Sequence, residues 1–110
     1  MSEPDFSLAK VDVSKLADYL LSSSHPSGKS KARFFMQMGF SRDDWQPFAA
    51  ALQRHALLNP VVKTANSPFG VKYTIDGLLE TPSGSRPAIR TVWIVEPGHP
   101  APRLVTAHPL

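Results

Sequence analysis

The sequence contains no cysteine, which removes disulfide staples, thiolate nucleophiles and thiolate metal ligands together. No apolar run approaches the roughly 20 residues that span a bilayer, and the opening MSEPDFSLAK carries acids where a secretion signal needs an apolar stretch. The expected setting is the cytoplasm, without membrane contact. The four histidines fall in no HxH, HxxxH or HExxH spacing, so no metal site is expected. Walker A, GxSxG and GxGxxG sequences are missing as well, and with them the usual phosphate loop, serine-hydrolase elbow and dinucleotide fold. No cofactor is expected. No aromatic pair marks an RRM-like strand, and Asp76, Glu80 and Glu96 lie in different strands or at strand ends, without the pairing that glycosidase chemistry needs.

What is present fits one domain. The chain has 110 residues, 42% of them apolar and 19% charged, enough for one hydrophobic core and too short for two. Residues 1–12 read as a loose polar lead to a single domain over 1–110. Twelve Lys and Arg face nine Asp and Glu, a formal charge of +3 with pI near 9.5. That excess is mild, so its distribution matters more than its total. Lys29, Lys31 and Arg33 have no acid between Asp18 and Asp43 to offset them.

Periodicity divides the chain in two. Leu16, Tyr19 and Leu20 recur at helical spacing and predict a short helix over about residues 13–22, with Asp12 or Ser14 as its N-cap. Ser30 can cap a second helix with Ala32, Phe35 and Met36 on one face and Gly39 as its stop. Trp45, Phe48, Ala49, Leu52 and Ala56 predict a third over 44–58. A proline deep inside that helix would cost about 3 kcal/mol, so Asp44 is expected as N-cap, with Pro47 in the first turn. From Val61 the sequence becomes strand-like: VVKTA, VKYTIDGLLET, PAIRTVWIVE and RLVTAHP, separated by NSPFG, PSGS and PGHPAP. Connections this short favour an antiparallel meander. The expected fold is α+β, with two to three N-terminal helices packed on a four-stranded antiparallel sheet.

Candidate chemistry concentrates in SSSHPSGKSKARFF, residues 22–35. Gly28 lets the backbone approach a ligand, and the following helix start favours an anion. Lys29, Lys31 and Arg33 add positive charge, and His25 is suited to proton transfer near neutrality. A solvated basic loop fits the same residues. His55 lies on the apolar stripe of the third helix, where a histidine held by a nearby carbonyl is expected. His99 falls in a proline-rich connection and is expected to be exposed. Alternation leaves Arg90 open: it shares a face with Val92 and Ile94, and if Ile89, Thr91 and Trp93 turn inward it is simply exposed. In RLVTAHP the same alternation places Leu104, Thr106 and His108 together.

The segments HPSGKSKARFF, FGVKYTIDGLLETPSG, IRTVWIVEPG and PRLVTAHP together resemble a family of small uncharacterised bacterial domains, found alone and at the ends of larger toxin-like proteins. The resemblance covers about residues 20–109. Helices followed by a four-stranded sheet that closes on RLVTAHP are also similar to the barnase-EndoU-colicin-RelE superfamily of ribonuclease toxins. That resemblance implies metal-independent RNA cleavage, with a cognate antitoxin or immunity protein as partner. By residue type and neighbourhood it points to His25, Lys31, Arg90, Thr106 and His108 as catalytic, and to Gly28, Lys29, Arg33 and Tyr73 as substrate-binding. Two other readings use the same basic loop: a non-catalytic interaction module, and a hydrolase of a nucleotide such as NAD.

Overall fold

The computed structural model describes residues 4–16 and 29–110 of the chain. Four strands follow one another wherever turn residues punctuate the sequence: β1 (Val61–Ser67), β2 (Gly70–Leu78), β3 (Ala88–Val95) and β4 (Arg103–Pro109). They form one antiparallel sheet in the order β1-β2-β3-β4. Ahead of them come a 3-10 turn (Phe6–Leu8), a single helical turn α1 (Val13–Lys15), α2 (Lys29–Gln37) and α3 (Gln46–Leu58).

The helical layer differs from the expectation. Among the described residues, two helices longer than one turn and a 3-10 turn stand where two to three N-terminal helices were expected. The helix read over 13–22 is, among the described residues, the single turn of α1; residues 17–22 lie outside them. The 3-10 turn is anchored by Phe6. Asp5 caps the 3-10 turn by accepting from the Ser7 backbone at 3.0 Å, and Phe6 then turns inward to meet Tyr73 and Trp93 edge-on at 6.2 and 6.1 Å. Residues 4–10 are therefore no loose lead: Phe6 and Ala9 are buried, and Lys10 bridges to Arg103 at the start of β4. A lone phenylalanine in polar sequence carries no periodicity, so nothing in the pattern announces it.

α2 ends as its glycine predicts. Gly39 sits at φ +103°, Phe40 N–H donates to Phe35 O at 3.2 Å and Gly39 N–H to Met36 O at 3.0 Å, the paired bonds of a Schellman stop. The helix already includes Lys29 and Ser30, so Ser30 lies within it rather than capping it. α3 begins at Gln46 with Trp45 in the cap position, and Pro47 falls in the first turn, where its missing N–H costs nothing.

The core lies between one face of the sheet and the two helices. α3 contributes Phe48, Ala49, Leu52, His55 and Ala56; Phe40 stacks on Phe48 at 4.6 Å and Phe35 of α2 meets it at a tilt at 4.7 Å. The sheet contributes Ile75, Ile89, Thr91, Trp93, Leu104 and Ala107, all buried. Among the described residues no helix is long and apolar enough to cross a membrane.

Among the described residues, two polar side chains are buried in this core and satisfy each other. Trp93 Nε1–H donates to Thr91 Oγ1 at 2.9 Å, and Thr91 Oγ1 meets His55 Nδ1 at 3.2 Å. His55 Nε2 lies 3.2 Å from Gly77 O, which only accepts. The ring therefore carries its proton on Nε2, and Thr91 donates to Nδ1. This histidine held by a carbonyl matches the structural reading of its sequence position. At the end of α3, Asn59 Nδ2 donates to His55 O at 2.9 Å, and its side chain lies so close over Gly77 that a β-carbon there would collide with Asn59 Cγ and Oδ1.

Two expectations follow. Burial pushes His55 below its ordinary value of 6.5, so the unfolded chain takes up this proton first. Stability from this group is complete above the unfolded value and is lost as pH falls through 6.5 toward the lower folded value, with a slope of at most about 1.4 kcal/mol per unit. Urea unfolding at pH 7.5 and 5.5 should register that loss, and His55→Gln should abolish the dependence in this window; an unchanged slope in the variant would refute the assignment. Gly77→Ala should cost about 1–3 kcal/mol, and much less in an Asn59→Ala background, as a double-mutant cycle of melting curves can check.

Candidate functional site

Strict alternation would send Val61 and Lys63 to one face of the sheet, and Leu104, Thr106 and His108 to one face as well. Both edge strands break that rule by one residue. In β1, Val61 pairs with Ile75 and Lys63 with Thr74, so Val62 is an extra residue in the ladder. In β4, Leu104 pairs with Trp93 and Thr106 with Val92, so Val105 is extra. Each insertion is a β-bulge, a feature that re-aims the side chains beyond it. Leu104 stays in the core, whereas Thr106 and His108 turn to the opposite, outer face. The grouping of all three residues expected from alternation is corrected by this bulge.

Arg90 belongs to the outer face too, because Ile89, Thr91 and Trp93 are the buried members of β3. Asp76, Arg90 and His108 form one row across β2, β3 and β4, and Thr74, Val92 and Thr106 form the next. Within the first row the guanidinium forks onto the carboxylate, Nε to Oδ1 at 2.7 Å and Nη2 to Oδ2 at 2.8 Å. This fork holds the Asp76 carboxyl below its usual range, with the nearby His108 adding to it, and raises Arg90. His108 Nδ1 lies 3.1 Å from Pro109 O, so the neutral ring keeps its proton on Nδ1 and offers Nε2 as an acceptor. From α2, Lys31 Nζ donates to Thr106 Oγ1 at 3.0 Å, a contact between residues 75 positions apart.

Four of the residues singled out from the sequence therefore share one surface: Lys31, Thr106, His108 and Arg90. An ammonium, a hydroxyl, an imidazole and a guanidinium on adjacent rows can bind an anion and exchange a proton beside it. Tyr73 does not join them, since it pairs with Trp93 and packs against the core. Arg33 is exposed on α2. Lys29 is the first residue of α2, while His25 and Gly28 lie outside the described residues. His99 is exposed in the β3–β4 connection.

Sequence reasoning missed Asp76 as the partner that orients Arg90; only the strand register brings the two together. The remaining candidate carboxylates are also bound to arginines, Glu80 to Arg54 at 2.7 Å and Glu96 to Arg103 at 2.8 Å. No two of them are placed as an acid–base pair. Among the described residues no group of His, Asp or Glu is placed to hold a metal ion.

The fold has a solved counterpart. One chain of the contact-dependent growth inhibition toxin–immunity protein complex from Klebsiella pneumoniae 342 superposes with a TM-score of 0.75, covering 94% of this chain and 95% of that one. At 19% identity the likeness is one of fold. None of the curated proteins matches the sequence. A family model does match, over residues 3–110, and the chain belongs to that family, described as a domain of unknown function, DUF6883.

Proposed function

We propose that this domain is the toxin component of a growth-inhibition system, paired with an immunity protein, and that it cleaves RNA without a metal. The single observation that carries the reading is the convergence of Lys31 with Thr106 on the face that also presents His108 and Arg90. Residues from a helix and two strands meet there, of the types that phosphodiester cleavage uses. The fold shared with a chain of a toxin–immunity complex supports it. So does the positive net charge, which suits the member of such a pair that meets an anionic substrate.

Each residue has a role in this chemistry. Cleavage forms a bond from the ribose 2′-oxygen to phosphorus and breaks the bond from phosphorus to the 5′-oxygen. The proton leaving the 2′-hydroxyl goes to His108 Nε2, and a proton must reach the departing 5′-oxygen. His25, outside the described residues, is the sequence's candidate for that second transfer. Lys31 and Arg90 face the charge that builds on the non-bridging oxygens. Arg90 Nη1 takes no part in the fork with Asp76 and is the edge of the guanidinium directed to phosphate. Thr106 positions an oxygen through its hydroxyl. An immunity protein would act by covering this face with carboxylates.

Tightly controlled expression in bacteria, with total RNA examined alongside growth, tests the reading. The wild type should arrest growth and fragment RNA. His108→Ala, Lys31→Ala and Arg90→Ala, each shown to fold by its melting curve, should lower cleavage about 100-fold or more. Arg90→Lys should not restore it, because an ammonium cannot form the fork with Asp76. Normal growth and intact RNA from folded wild-type protein would overturn the proposal in favour of a non-catalytic interaction module.

A further inference from the structure

The outer face of the sheet extends well beyond the four clustered residues. One row runs Lys63, Thr74, Val92, Thr106 from β1 to β4, and the next runs Ala65, Lys72, Ile94, Arg103. At about 4.8 Å between strands, Lys63 stands roughly 14 Å from Thr106 in the same row. Lys63, Lys72 and Arg103 are exposed, and Ala65 between the first two is small and exposed as well. Among the described residues, five cations, Lys31, Lys63, Lys72, Arg90 and Arg103, share this face with two carboxylates, Asp76 and Glu96, each engaged by an arginine. Those seven side chains sum to a formal +3. Positive charge that is modest over the molecule is thus gathered on the one surface that holds the candidate site.

We infer that Lys63 and Lys72 form a phosphate-tracking strip that leads single-stranded RNA across β1 and β2 to the Lys31–Thr106 pair. The inference rests on the RNA reading above and adds to it how the substrate is held. Among the described residues the strip on β1 and β2 carries no aromatic side chain, since its members are Lys63, Ala65, Lys72 and Thr74 and Tyr73 belongs to the core side, so bases have nothing along it to stack on. Contact is through the backbone. Binding along it is therefore tolerant of sequence and strongly dependent on salt. A single strand is required because attack by the 2′-oxygen in line with the departing 5′-oxygen needs a sugar–phosphate geometry that a paired A-form helix does not supply. The bulge at Val62 is part of the device: without the extra residue, Lys63 would follow Val61 to the core side.

The test uses a short labelled single-stranded RNA, 2′-O-methylated so that it has no 2′-hydroxyl to attack, titrated with wild-type protein by fluorescence anisotropy over a range of salt. The Lys63→Ala/Lys72→Ala double variant should bind roughly tenfold more weakly at moderate salt. Its slope of log affinity against log salt should be shallower by about 1.4, at 0.7 per lost contact to a single strand. Arg86→Ala, an exposed cation in the β2–β3 connection, should behave as wild type. Absent binding by the wild type, an unchanged slope in the double variant, or an equal loss in Arg86→Ala would each overturn the strip. Cleavage is scored separately on unmodified RNA. Binding that depends on the two lysines in a protein that cuts nothing would keep the strip and sink the nuclease, and cleavage with unaltered binding in the double variant would do the reverse.

Discussion

Two single-residue insertions, Val62 in β1 and Val105 in β4, determine what the surface of this domain can do. A regular ladder would carry each edge strand through with one face apolar and one polar. The insertions reverse the assignment partway along, so each strand first anchors in the core and then presents polar groups on the other side. Leu104 anchors, and Thr106 and His108 emerge; Val61 anchors, and Lys63 emerges. Bulges gather at sheet edges and beside functional groups because they re-aim side chains without costing a whole strand of pairing. Here they let two edge strands serve the dry face and the charged face in turn.

The dry face is held in register by a buried polar chain. Trp93, Thr91, His55 and the Gly77 carbonyl pass hydrogen bonds from one to the next, and among the described residues no buried side-chain polar atom is left without a partner. This chain ties α3 to β2 and β3 at a defined height. Sliding the helix by one residue would carry the His55 ring away from both the Thr91 hydroxyl and the Gly77 carbonyl, leaving buried polar groups unpaired at about 1–3 kcal/mol for each group. The outer face inherits that rigidity through the strands. Arg90 and Asp76 sit on the residues next to Thr91 and Gly77, so the fork between them stands on backbone fixed from below.

The sequence was legible where local chemistry sets structure. Proline, glycine and asparagine bounded all four strands and stopped α2 and α3 close to their observed ends. The residue types of the candidate site were legible as well, because Lys31, Arg90, Thr106 and His108 have no structural excuse in a small core. What alternation misplaced were the bulges, which depend on the pairing of two strands and leave no mark on one strand's pattern. The 3-10 turn was missed because Phe6 is a single residue whose burial depends on the far-off Tyr73 and Trp93. The fork between Asp76 and Arg90 and the contact of Lys31 with Thr106 are long-range facts of the same kind. Tyr73 was grouped with the site by type alone, and its register puts it on the opposite face.

The two sheet edges are finished differently. β4 is closed at its start by the backbone of Lys10, which donates to Pro102 O at 2.8 Å and accepts from Leu104 N at 3.0 Å. β1 forms the other edge, and an open strand edge invites a neighbouring molecule to add a strand of its own. The extra residue at Val62 interrupts the even spacing of N–H and C=O groups that such an addition would need, and the lysine after it sets like charges against each other between copies. The irregularity that turns Lys63 toward solvent thereby also discourages the domain from polymerising edge to edge, a hazard for any protein that must travel or wait at high local concentration.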